Sequence, residues 1–159
     1  MDPGPVRIYV ADRRAVLVDR IAVLADQYED LKLVGAQTSG SAAVASVTAA
    51  KPSVVLVGEH FPDADGLVVC EQIHRTLSAA AVILISEKRT DEALLRALEA
   101  GACGVIVPLV PDEELVTAIL RAADGELLVS RSTVLRLFRL GRDLRPAADT
   151  SCTTRQKHA

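Results

Sequence analysis

Four acidic residues stand where buried strands meet turns, positions at which a carboxylate can hold a cation or accept a phosphoryl group. Asp12 closes the run Val10-Ala11-Asp12, while Glu59, Asp63 and Asp65 follow Val54-Val55-Leu56-Val57-Gly58 in a stretch that ends at Gly66. Asp12 is followed by Arg13, which opposes cation binding, and the valine-rich run itself ends in Gly58, which offers no nucleophile. Ser86 supplies a hydroxyl at the end of another apolar run, and Pro108 ends a fourth. His60, His74 and His158 are isolated, and Cys70, Cys103 and Cys152 are odd in number and scattered, so neither set has metal-ligand spacing and the cysteines form no disulfide framework. No nucleophile–base pair or phosphate-binding glycine loop is apparent. The expectation is therefore a protein without catalytic residues, metal or cofactor.

The elements that must position these residues alternate regularly. Apolar runs at Val6–Ala11, Leu31–Thr38, Ser53–Gly58, Ala81–Ser86 and Gly104–Pro108 read as strands. Helical patterns at Ala15–Gln27, Ser41–Ala50, Leu67–Leu77, Asp91–Ala100 and Asp112–Ala123 separate and follow them. Five strands alternating with five helices predict an α/β fold, a parallel five-stranded sheet with helices on both faces. Right-handed crossovers favour a flavodoxin-like three-layer sandwich of strand order 2-1-3-4-5. Its ligand crevice lies at the carboxyl ends of strands one and three, which places Asp12 and Gly58 together. Beyond Gly125, residues 131–141 place Val134, Leu137 and Phe138 on one helical face. The expected domains are a body over residues 1–125, a linker helix over 126–142 and a flexible tail over 143–159.

The turn Pro62-Asp63-Ala64-Asp65-Gly66 after the third strand resembles that of response-regulator receiver domains. Over residues 6 to 140 the chain is most similar to the NarL/FixJ class. It shares Ala97-Leu98-Glu99-Ala100-Gly101-Ala102-Cys103-Gly104 before strand five, Pro111-Asp112-Glu113-Glu114-Leu115 opening helix five, and Gly125-Glu126-Leu127-Leu128 after it. The resemblance implies a phosphoacceptor aspartate at position 58, a second acid at 13, a lysine at 108 and an aromatic switch residue at 105. This chain has Gly58, Arg13, Pro108 and Val105 there, and keeps only Asp12 and Ser86. It looks like an atypical, or pseudo-, receiver that Mg²⁺ and phosphate do not control. Glu59, Asp63 and Asp65 remain as other carboxylates, but without Mg²⁺ the developing phosphoryl charge would have no partner.

The 159 residues suffice for one core, built from Val, Leu, Ile and Ala because aromatics make up only 3%. No secretory signal or membrane-length apolar run is visible, so a cytoplasmic protein is expected. The net charge of −3 conceals an asymmetry: seven basic residues oppose two acidic ones after Ser130, and 11 basic oppose 19 acidic before it. The acidic body is not expected to hold nucleic acid. Cys152-Thr153-Thr154-Arg155-Gln156 is similar to the opening of a NarL-type helix-turn-helix domain, so DNA binding is expected only through a further C-terminal domain.

Three modes of action fit this sequence. Val18 and Ala22 on helix one, with Val116 and Leu120 on helix five, add apolar stripes beside the core-facing Leu17, Ile21, Leu24, Leu115, Ala118 and Ile119. They predict a homodimer through helices one and five. A second mode is a small-molecule effector in the vacated crevice, anchored by Asp12, Arg13 and Ser86, against the plainer expectation that Arg13 bonds Asp12 and locks the site. The third is a stand-alone protein-binding adaptor.

Overall fold

The computed structural model describes residues 4–144; the Cys152–Ala159 motif and His158 lie outside the described residues. The strands are β1 (Val6–Ala11), β2 (Leu31–Gln37), β3 (Val54–Gly58), β4 (Ala81–Ile85) and β5 (Ala102–Ile106). The helices are α1 (Ala15–Gln27), α2 (Gly40–Ala50), α3 (Gly66–Thr76), α4 (Asp91–Glu99), α5 (Asp112–Ala123) and α6 (Arg131–Leu144). All strands pair in parallel, in the order β2-β1-β3-β4-β5. This is the predicted three-layer, flavodoxin-like sandwich.

Alternation along the strands divides the apolar residues between two cores. Ile8, Val10, Leu56, Ile83 and Ile85 face α1 and α5, meeting Leu17, Ile21, Leu24, Leu115 and Ile119. Tyr9, Val55, Val57, Val82 and Leu84 face the other helices, meeting Val47, Val69, Cys70, Ile73 and Ala97. Covering on both faces explains why every residue of β3 is buried. The helix ends follow local chemistry. Ser39, Asp65 and Thr90 accept backbone N–H groups at the starts of α2, α3 and α4. Arg7 donates from Nη2 to the Ala50 carbonyl (2.7 Å) and from Nε to that of Lys51 (3.0 Å), closing α2.

Two boundaries differ from expectation. β5 begins at Ala102 and stops at Ile106, two residues before the predicted Pro108. Proline has no N–H for a strand ladder, and the Val110 amide donates to the Val107 carbonyl (3.2 Å), turning the chain. β4 stops at Ile85, although the Ser86 amide still donates to the Ile106 carbonyl (3.0 Å).

After α5 the chain turns back along the sheet, and the Leu128 amide donates to the Cys103 carbonyl (2.8 Å). It then enters α6, which rests on α4. Leu137 is only 4% exposed, and Arg136 forks onto Asp91 with two bonds of 2.9 and 3.1 Å. Phe138 and Val134 of the predicted apolar face are exposed, so Leu137 alone of the three is buried. Among the described residues no helix is long and apolar enough to cross a membrane.

Candidate functional site

The crevice at the ends of β1 and β3 is built around one buried carboxylate. Asp12 is 3% exposed; its Oδ1 accepts the Arg14 amide at 2.9 Å, and Arg14 Nε stands 3.8 Å away. This is an Asx turn, in which an aspartate caps the amide two residues on. The turn throws the intervening Arg13 outward, where it is exposed and pairs with no carboxylate among the described residues. The expectation that Arg13 bonds Asp12 is therefore corrected: Arg14 takes that place.

Gly58 is not beside an empty space. A Cβ added there would lie 2.9 Å from both Cγ and Oδ2 of Asp12, closer than side chains pack. The Asp12 carboxylate thus lies over the glycine, and the crevice is filled at position 58 rather than vacated. Gly66 is demanded by an even closer approach, since its Cβ would fall 2.2 Å from the Gly58 carbonyl oxygen. The turn between them is held by the Phe61 amide bonded to the Ala64 carbonyl (3.0 Å) and the Gly66 amide bonded to that of Glu59 (2.8 Å).

The other carboxylates near this turn have structural partners. Asp63 accepts the amides of Gly40 (2.9 Å) and Ser41 (3.0 Å) and the Ser39 hydroxyl (3.2 Å), pinning the β3–α3 turn to the start of α2. Those donors, the Ser41 amide foremost, lower its pKa to about 2. Asp65 accepts the Leu67 amide (2.8 Å) as the cap of α3. Glu59 lies between Lys88 (3.6 Å) and His60 (3.8 Å). Among the described residues no cluster of three His, Cys, Asp or Glu is placed to hold a metal ion. Burial pushes the Cys70 thiol up to about 12 and that of Cys103 up to about 11, so neither is an activated nucleophile.

The proposed effector anchors are not brought together. Ser86 is buried, its Oγ accepts the Lys88 amide (3.0 Å), and it borders a small hollow of about 80 Å³ with Glu59 and Lys88. Asp12 and Pro108 instead border a separate cavity of about 490 Å³ between α1 and the β5–α5 loop. Its wall is pinned by Arg20, which donates to Asp112 Oδ1 (2.7 Å), to the Pro108 carbonyl (3.0 Å) and to the Val110 carbonyl. Arg14, Arg20 and Lys88 escaped the sequence reading. Arg20 meets partners some 90 positions away, for which no local pattern exists; only the Ser86-x-Lys88 spacing hints at a turn. Val105 is half-buried and borders the space near Arg89 and Leu128, on the side of α6.

The predicted dimer face also needs correction. Val116 is 5% exposed and belongs to the core, because α5 buries a wide stripe comprising Leu115, Val116, Ile119 and Ala122. Ala118, expected to face the core, is only half-buried at its margin. Val18, Ala22 and Leu120 are half-buried, with Val18 and Leu120 packed on the core's edge. The exposed large hydrophobic residues of α1 are Val16 at 71% and Val23 at 55%.

Comparison with known proteins places this geometry in a family. The description "Response regulator receiver domain" matches residues 8–120. The DNA-binding transcriptional activator DevR/DosR of Mycobacterium tuberculosis is 27% identical over 133 residues, covering 84% of this chain and 61% of that protein. The oxygen regulatory protein NreC of Staphylococcus haemolyticus is 26% identical over 125 residues, covering 78% of this chain and 58% of NreC. The chain thus spans about three fifths of the length of these curated relatives. Among solved structures, the signal receiver domain of the M. tuberculosis response regulator NarL superposes with a TM-score of 0.71 at 27% identity, covering 78% of this chain and all of that one. The isolated receiver domain of RcsB from Salmonella enterica reaches a TM-score of 0.70 at 18% identity, over 84% of this chain and 99% of that one, a likeness of fold. With its five-stranded order, its β1–β3 crevice and a family match over most of its length, the chain belongs to the response regulator receiver domains.

Proposed function

We propose that this chain is the input domain of a NarL-type transcriptional regulator and that it signals without phosphoryl transfer. The observation that carries the reading is Asp12 folded over Gly58. The position that the resemblance assigns to the phosphoacceptor has no side chain, and the remaining acid of the pair occupies its space. Pro108 stands where a lysine would answer the phosphoryl charge, and Asp63 and Asp65 are committed to helix starts. Mg²⁺ needs several oxygen ligands and retains waters, and a lone carboxylate beside Arg14 is a poor host.

In this reading the domain works in the cytoplasm through a homodimer on the α1–α5 side, and DNA is engaged by a further C-terminal domain beyond this chain. DevR/DosR is described as a DNA-binding activator, which supports the second part. Val16 and Val23, rather than Val116, are the apolar residues that such a dimer would cover. Sedimentation equilibrium tests this arrangement. A dimer that is unchanged by Mg²⁺ and acetyl phosphate, and that dissociates when Val16 and Val23 are both replaced by lysine, is expected. Dimerisation only in the presence of Mg²⁺ and acetyl phosphate would contradict it.

A second reading, a small-molecule sensor, is favoured by one specific feature. The cavity of about 490 Å³ beside Asp12 falls within the range of ligand pockets and is walled mainly by apolar side chains.

A further inference from the structure

The cavity between α1 and the β5–α5 loop carries opposite charges at one end and hydrocarbon elsewhere. Its apolar wall comprises Val16, Leu17, Ile85, Leu109 and Val110. Leu109 is 92% exposed and Val16 71%, a costly display of surface that a ligand would cover. Asp12 stands at the charged end with 3% exposure. Its Oδ1 accepts the Arg14 amide, and a carboxylate has acceptor sites beyond that one bond. A ligand ammonium that donates to this carboxylate at the cavity's charged end gains a charge-assisted hydrogen bond.

Arg14 borders the same cavity. Its Nε is 3.8 Å from Asp12, beyond hydrogen-bond range, and its side chain is 55% exposed. The guanidinium keeps its ion pair with Asp12 and, being more than half exposed, has donors left to meet a second, negative group. Arg20 instead engages all three of its nitrogens, with Asp112, Pro108 and Val110, and holds the loop in place before any ligand arrives. A preformed wall lowers the ordering cost of binding.

We propose that this cavity binds a zwitterionic small molecule with an apolar body, of the chemical class of large α-amino acids. The ammonium group donates to Asp12, the carboxylate pairs with Arg14, and the hydrocarbon covers Val16, Ile85 and Leu109. A simple cation would face Arg14 unfavourably and a simple anion would face Asp12, so charge complementarity selects the molecule that carries both. The assignment deepens the sensor reading and rests on Asp12 being free of Mg²⁺.

The test is a titration of the isotope-labelled full chain, followed by amide chemical shifts. The probes are L-phenylalanine, L-leucine and L-tryptophan, with 3-phenylpropionate and 2-phenylethylamine as molecules lacking one charge. At least one amino acid should give saturable shifts in residues 12–17 and 109–112. Each single-charge analogue should bind at least about tenfold more weakly, the ratio that loss of one charge-assisted hydrogen bond produces. Arg14→Gln and Leu109→Glu, both at exposed positions, should each weaken binding by a similar factor while the sheet amides stay unmoved. No saturable shift with any of the three amino acids would overturn the proposal, as would equal binding of the single-charge analogues or indifference to both substitutions. Mg²⁺ is titrated in a separate arm. Saturable Mg²⁺ shifts at Asp12 and Gly58 would overturn both this site and the phosphate-independent reading. Failure of the amino acids with a silent Mg²⁺ arm would remove the ligand alone.

Discussion

Asp12 and Gly58 act as a pair, because the carboxylate of one fills the space that a side chain on the other would need. Simple restoration of an acid at position 58 is therefore not a return to receiver chemistry. Gly58→Ala should lower stability by about 1 kcal/mol, since Asp12 must turn away from the glycine. Gly58→Asp should cost more, roughly 2–3 kcal/mol, because it adds a second buried negative charge beside the first. Urea denaturation at neutral pH measures both; equal or raised stability for Gly58→Asp would show that the crevice has room for two acids. Asp63 makes a prediction in acid. Its folded-state pKa of about 2 lies below the ordinary value of 3.8. A depressed pKa means that the stabilisation is fully present above the ordinary value and is lost as pH falls through about 2. Asp63→Asn should accordingly be less stable than the parent near neutrality, with the gap closing over that acid range. A gap independent of pH would assign the effect to shape rather than charge.

At the level of elements, α6 meets α4 through an exposed bridge and a buried leucine. The Arg136–Asp91 bridge lies at the surface, where ion pairs contribute little and salt screens them. Leu137 is buried against the body. Leu137→Ala should therefore weaken α6 docking by about 2 kcal/mol, the lower end for a buried leucine, and Arg136→Ala by less. Hydrogen exchange should quicken in α6 for Leu137→Ala while β1, β3 and β4 keep their protection. The reverse ranking of the two variants would make the bridge the main fastening. The elements themselves were legible in the sequence because valine-rich runs and 3.6-residue patterns alternate cleanly, and Leu17, Ile21 and Leu24 were correctly given to the core. Val116 was misplaced because an apolar stripe two residues wide does not say which edge faces outward. Residue type alone does not distinguish Arg13 from Arg14, because the Asx turn that points them apart is a property of the backbone. The apolar run continues to Pro108 although β5 ends at Ile106, because the proline marks the exit and not a strand position.

Over the whole molecule, the proposed reading sets the Asp12 cavity apart from the C-terminal helix. The residues before Ser130 hold the acidic excess, and seven basic residues follow it in the sequence. α6 leaves the body on the α4 side, whereas the Asp12 cavity opens between α1 and the β5–α5 loop. Arg20 connects α1 to that loop through Pro108, Val110 and Asp112, so a change at the crevice can reach the start of α5 through a single side chain. In the proposed reading the domain signals without a phosphoryl group. Intact-mass measurement of the full chain after incubation with acetyl phosphate and Mg²⁺, under conditions that preserve acyl phosphates, tests it most directly. No phosphoryl adduct is expected. A stoichiometric, Mg²⁺-dependent adduct on Asp12, Glu59, Asp63 or Asp65 would contradict it.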